Sequence, residues 1–157
     1  MYSDIKSVQY TIAFLKAYNV RHIVLSPGSR NTPIVHSVEN DNFFTCYSIV
    51  DERSAGFFAI GLIQKLQEPV AISCTSGTAV ANYSSAINEA WYQKLPLIAI
   101  TADRNPYYLN QSEDQMIPQT GIFSQVCKKS VQLPLIESEN DIWYCNRLLN
   151  EAFLELN

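Results

Sequence analysis

Four short polar clusters carry the residue types that do chemistry, and each follows an apolar run. The first, Ser26-Pro27-Gly28-Ser29-Arg30, offers free backbone N–H groups, a hydroxyl and a guanidinium to an anion. A plain turn with a capping serine has the same spacing. The second, Asp51-Glu52-Arg53, ends an apolar strand and opens a helix, where an acid is also favoured by the helix dipole alone, by under about 1 kcal/mol. The third, Thr75-Ser76-Gly77-Thr78, is built of small residues that let the backbone approach a ligand closely. The fourth, Thr101-Ala102-Asp103-Arg104, puts a charged pair where another hydrophobic strand stops, and a structural Asp–Arg bridge is its simpler explanation. No G-x-G-x-x-G and no P-loop lysine motif occurs, so nucleotide recognition by those devices is not indicated. Ser29, His36 and Asp51 could be imagined as a hydrolytic triad, but the pattern gives no reason to bring the two histidines, His22 and His36, to one place.

These clusters need elements to hold them at one edge. Ile5, Val8, Ile12 and Leu15, with Val20 beyond them, approximate a helical stripe preceded by a cap-like Ser3. HIVLS then reads as a strand that stops at Pro27 and Gly28, with Pro33 suited to a first helical turn. The unit repeats: FFTCYSIV enters the helix DERSAGFFAIGLIQKLQ, PVAISCT enters SGTAVANYSSAINEAWYQK, and PLIAITA enters an irregular stretch. Such alternation predicts a three-layer α/β/α domain with a parallel sheet. Ligands of open parallel sheets bind beyond the carboxyl ends of the strands, where all four clusters fall. Residues 103–120 are polar, hold Pro106 and Pro118 and lack a period, which makes them a long loop of a size more often functional than idle. VCKKSVQLP is a possible last strand, and a helix capped by Ser138 runs on to the end.

The bulk properties narrow the class. One domain fits 157 residues, and 47% hydrophobic against 17% charged residues describes a core-forming globular chain. A net charge of -4 without a basic stripe argues against a nucleic-acid partner. The first twenty residues interrupt their apolar positions with Asp4, Lys6, Gln9 and Lys16, so they form neither a signal-peptide core nor a membrane span. Cys46, Cys74, Cys127 and Cys145 are far apart in apolar segments, as expected of buried, reduced thiols in a cytoplasmic protein without a metal site.

Taken together, LSPGSRNTPI, DERSAGFFAIGL, TSGTAVANYSSAINEA and PLIAITADRNP resemble the amino-terminal pyrimidine-binding domain of the 2-succinyl-5-enolpyruvyl-6-hydroxy-3-cyclohexene-1-carboxylate synthases. These are thiamine-diphosphate enzymes of menaquinone biosynthesis. The resemblance runs from the first helix to at least Gln119 and implies a Rossmann-like fold. It implies a complete enzyme, a C–C bond-forming transferase, that decarboxylates 2-oxoglutarate and adds the succinyl unit to isochorismate. By this resemblance Glu52 hydrogen-bonds a ring nitrogen of the cofactor's pyrimidine and activates it. Ser29, Arg30, Arg104 and Gln115 match substrate-facing positions, and guanidinium groups suit dicarboxylates because a planar fork pairs them bidentately. Pro27, Thr75, Gly77 and Asn82 match loops that lie against the pyrimidine. The chain departs from commoner members at Asn105 and at Glu113 and Asp114, which add negative charge beside Gln115.

The family anchors the diphosphate through Mg²⁺ or Mn²⁺ on a GDG-type motif that is not found here. The chain is thus expected to be a fragment lacking the diphosphate domain, inactive by itself and paired in a homodimer or tetramer when full length. Two other readings stay open: a stand-alone module that captures a small anion on the SPGSR loop, and a non-catalytic assembly domain using the aromatic helix segments FFAIGLI and AINEAWY.

Overall fold

The computed structural model describes residues 3–156; Met1, Tyr2 and Asn157, which the single domain expected over 1–157 includes, lie outside the described residues. Strands β1 (His22–Leu25), β2 (Thr45–Ser48), β3 (Val70–Cys74) and β4 (Leu97–Thr101) pair in parallel in the order β2-β1-β3-β4. Helices α1 (Lys6–Ala17), α2 (Thr32–Glu39), α3 (Glu52–Leu66), α4 (Thr78–Asn82), α5 (Ser84–Gln93) and α6 (Glu139–Leu154) cover both faces.

The layers follow from alternation. Ile23 and Leu25 enter one core with Val8, Ile12 and Leu15 of α1 and Leu149 of α6. Val24, Val70 and Ile72 point the other way, against Ala55, Ala59 and Ile63 of α3. Burial of Leu15, Val24 or Ile72 contributes about 1.5–3 kcal/mol each. All five positions of β3 are buried, as a strand covered on both faces requires, whereas the outer strand β2 is half open.

The chain steps from β1 outward to β2, then crosses back over β1 to β3 and on to β4. Crossovers share one hand, so this reversal sends α2 to one face and α3, α4 and α5 to the other. It also opens a crevice at the carboxyl ends of β1 and β3, where doubly wound sheets take their ligands.

Three local expectations change. Ser3 does not cap α1: its hydroxyl accepts the Ile5 N–H (3.2 Å), and Ile5 itself is the capping position, without a side-chain bond. The helix expected through residues 76–94 divides at Tyr83, whose N–H donates to the Val80 carbonyl three residues back (3.0 Å) while its ring fills the core beneath. Residues 126–134 form no strand. Leu133 and Ile136 pack on the α1–α6 core, the Lys128 ammonium donates to the Glu155 carbonyl (2.6 Å) and Lys129 pairs with Glu151 (2.8 Å). That segment is tied to a helix, so its backbone never reaches the sheet edge. Ser138 caps α6 as expected, in a reciprocal box with Asp141.

Candidate functional site

Parallel register delivers the four polar clusters to one edge: Leu25 aligns with Ser48 and Ser73, and Cys74 with Thr101. The loop after β1 is pinned from inside. The Asn31 amide donates to the Ser26 carbonyl (2.9 Å), and the Ser26 N–H donates to the Ser73 carbonyl of β3 (2.9 Å). Gly28 lies against Thr75 so closely that a Cβ there would sit 2.3 Å from the threonine Cβ. The two loops that flank the crevice therefore touch, and Pro27, Ser29 and Arg30 are left facing solvent. Arg30 makes no ion pair among the described residues.

The adjacent acids after β2 divide their work. Asp51 is the helix cap: its Oδ1 accepts the Ser54 N–H (2.7 Å), which holds its carboxyl below the usual carboxylate range. Glu52 turns away, and its Oε2 accepts from the Asn82 amide at the end of α4 (3.2 Å). Asp51 thus serves as the cap, while Glu52, the acid of the first turn of α3, is aimed across toward α4. Its charge reaches Cys74 and Tyr83. The Cys74 thiol is pushed up to about 12, first by burial and also by Glu52; burial likewise pushes the Tyr83 phenol well above its ordinary value.

The loop after β4 folds back over the third cluster. Gly77 has φ +73, a conformation suited to glycine, and a Cβ there would fall 1.8 Å from the Gln115 carbonyl oxygen. Gln115, exposed and itself at φ +49, thus meets the Gly77 loop through its backbone. Gln119 is a site residue that the sequence reading did not single out. Its Oε1 accepts the Gly77 N–H (2.9 Å), and its Nε2 donates to the Ala102 carbonyl (2.7 Å) and to the Thr101 hydroxyl (3.2 Å). One amide thereby ties the Gly77 loop, 42 residues before it in sequence, to the end of β4. No local pattern marks it; a glutamine in an aperiodic loop looks solvated until its burial is known.

The fourth cluster is not an Asp103–Arg104 side-chain bridge. Asp103 accepts the Arg104 backbone N–H (2.8 Å), and the Arg104 guanidinium pairs with Glu113 (3.1 Å) and Asp114 (3.3 Å). The hydrolytic triad is absent as well. His36 bonds only within its own helix end, to Asn40, and His22 lies between Tyr47 and Glu68. All four cysteines are free; Cys74 and Cys145 are buried, but Cys46 and Cys127 are only partly so. No group of three metal-ligating side chains is found among the described residues, and no helix among them is long and apolar enough to cross a membrane. A groove of about 450 Å³ between Ser84, Asn88 and residues 121–126 contains no titratable side chain and lies apart from Glu52.

Beneath the crevice the buried Tyr83 phenol lies beside Ser26 and Cys74. At the crevice the half-buried Glu52 supplies an acceptor, while Thr75 fills the space beside Gly28 and the Gln115 backbone that beside Gly77.

Residues 5–123 match the family model described as thiamine pyrophosphate enzyme, N-terminal TPP binding domain. Over all 157 residues the chain is 55% identical to a 2-succinyl-5-enolpyruvyl-6-hydroxy-3-cyclohexene-1-carboxylate synthase of Bacteroides fragilis, of which it covers 28%. It is 52% identical to the enzyme of that name from Bacteroides thetaiotaomicron, again over the whole chain and 28% of the relative. Against the Porphyromonas gingivalis enzyme the identity is 43% over 152 residues, 96% of this chain and 26% of the relative. The chain thus spans about a quarter of the length of these relatives.

Proposed function

The chain belongs to the family of N-terminal TPP binding domains of thiamine pyrophosphate enzymes, and from that premise we propose that it is the pyrimidine-binding part of a 2-succinyl-5-enolpyruvyl-6-hydroxy-3-cyclohexene-1-carboxylate synthase. The complete enzyme decarboxylates 2-oxoglutarate and adds the succinyl unit to isochorismate, in the cytoplasm, as a step of menaquinone biosynthesis. When bound, thiamine diphosphate supplies the carbanion chemistry that neither substrate can provide.

This chain's own residues bind and orient. Glu52 is the catalytic carboxylate: it holds a proton at a pyrimidine ring nitrogen, and the Asn82 amide fixes its rotamer from the opposite side of the crevice. Pro27, Thr75 and Gly77 shape the floor, where the close Gly28–Thr75 approach and the Gln119 tie lock the loops to one another. Ser29, Arg30, Arg104 and Gln115 face the substrates at the outer rim, Arg30 and Arg104 as forks for carboxylates. Mg²⁺ or Mn²⁺ and the diphosphate are held by residues outside this chain, on a partner domain. The exposed Phe57 and Phe58 of α3 and Trp91 and Tyr92 of α5 fit a homo-oligomer whose active site lies between subunits.

The observation that carries the reading is the Glu52–Asn82 pair at the mouth of the β1–β3 crevice. The test is isochorismate-dependent CO₂ release from 2-oxoglutarate by the full-length protein with thiamine diphosphate and Mg²⁺, alongside Glu52→Gln. Activity that falls by about 100-fold or more in the variant is expected. A parent protein inactive with this substrate pair overturns the substrate assignment, and an unimpaired Glu52→Gln overturns the role of the carboxylate.

A further inference from the structure

Arg104 differs from the other rim residues in being already occupied. Its side chain is only 13% exposed, whereas Glu113 and Asp114, which neutralise it, are 46% and 84% exposed. The pairing is one oxygen to one nitrogen on each side: Glu113 takes Nη1, Asp114 takes Nη2, and the buried Nε is left without a partner. A single carboxylate from outside could engage two guanidinium nitrogens at once, the stronger geometry.

We propose that Glu113 and Asp114 are displaceable stand-ins for a substrate carboxylate on Arg104, and so set how tightly a carboxylate-bearing substrate is held. This rests on the carboligase reading for the nature of the substrate. An arginine buried to this degree needs a counter-charge while the site is empty, because an unpaired buried cation is costly. Glu113 and Asp114 meet that need while staying in contact with solvent, so water takes over their solvation when another carboxylate replaces them. The acids sit between Ser112 (φ +60) and Gln115 (φ +49), two residues in the left-handed region, so the turn that presents them is not a low-energy resting conformation.

The experiment uses the full-length enzyme with thiamine diphosphate and Mg²⁺, and compares the parent, Glu113→Gln/Asp114→Asn and Arg104→Gln. Succinate binding is read by calorimetry and the KM for isochorismate by steady-state kinetics. Removal of the competing charges is expected to tighten both by about three- to tenfold, and Arg104→Gln to weaken both. If the double variant binds succinate and isochorismate no better than the parent while Arg104→Gln weakens them, the acids do not compete and the proposal is overturned, with the role of Arg104 intact. Weaker binding in the double variant overturns it too, since the acids would then orient Arg104. If Arg104→Gln changes neither quantity, or succinate does not bind the parent, it is the assignment of Arg104 to a carboxylate that fails. The single variant Glu113→Gln, with one exposed neutral replacement, gives the same readout in smaller measure should the double variant be unstable.

Discussion

The loops after β1 and β3 and the loop after β4 reach the same edge of the sheet but are held by different physics. The inner pair is fastened by buried, neutral hydrogen bonds from Asn31 and Gln119 and by backbone contacts that leave no room for a Cβ at Gly28. The outer loop shares the Gln119 tie, but over residues 104–114 it is held by ion pairs between the largely buried Arg104 and the exposed Glu113 and Asp114. Buried neutral bonds are insensitive to salt and expensive to break, whereas exposed ion pairs are weak and easily exchanged. A rigid inner wall suits a cofactor that must be aimed; an exchangeable rim suits substrates that come and go.

Several changes would break or sharpen this contrast. Gly77→Ala should have the largest effect. The added Cβ meets the Gln115 carbonyl and the residue would have to hold φ +73, so a loss of about 2–4 kcal/mol is expected in denaturant unfolding. Gln119→Ala should cost about 1–3 kcal/mol, because the Gly77 N–H and the Ala102 carbonyl lose their partner in a buried place. A melting temperature unchanged by Gln119→Ala would mean that the inner wall is not fastened as described.

A pH series tests the same wall through Cys74, whose thiol burial raises from 9.0 to about 12. Above pH 9 the unfolded thiol loses its proton while the folded one keeps it, so the folded state binds more protons and stability falls as pH rises toward 12. The slope from this residue is about 1.4 kcal/mol per pH unit, and Cys74→Ala should flatten it. The smallest effect belongs to the rim: Glu113→Gln/Asp114→Asn removes the charges but keeps an amide oxygen opposite each Arg104 nitrogen, so stability should change by less than about 1 kcal/mol, and 1 M salt should reduce even that difference. A larger loss there would erase the distinction between wall and rim.

Much of the framework was legible because it is local. Strand ends, the proline at the start of α2 and the Ser138 cap are written in neighbouring residues, and their spacing alone puts Glu52 at a helix start beyond a strand. The failures share one physical origin. VCKKSVQLP has the composition of a strand, yet whether a strand forms depends on an available edge, and the Lys128 and Lys129 contacts to α6 hold the segment away from one. Tyr83 carries helical propensity on both sides, but packing of its ring beneath the turn divides α4 from α5.

By itself, then, the order of residues determined the alternation of elements, the single sheet edge at which chemistry could gather, and the family whose motifs lie there. Only the tertiary structure decided the strand order that opens the crevice between β1 and β3, the turn of Glu52 toward Asn82, the reach of Gln119 to Gly77 and the occupation of Arg104 by Glu113 and Asp114. Periodicity is a property of neighbours along the chain. A hydrogen bond spanning 42 residues, or a counter-ion chosen from a returning loop, exists only once packing has brought distant segments within reach.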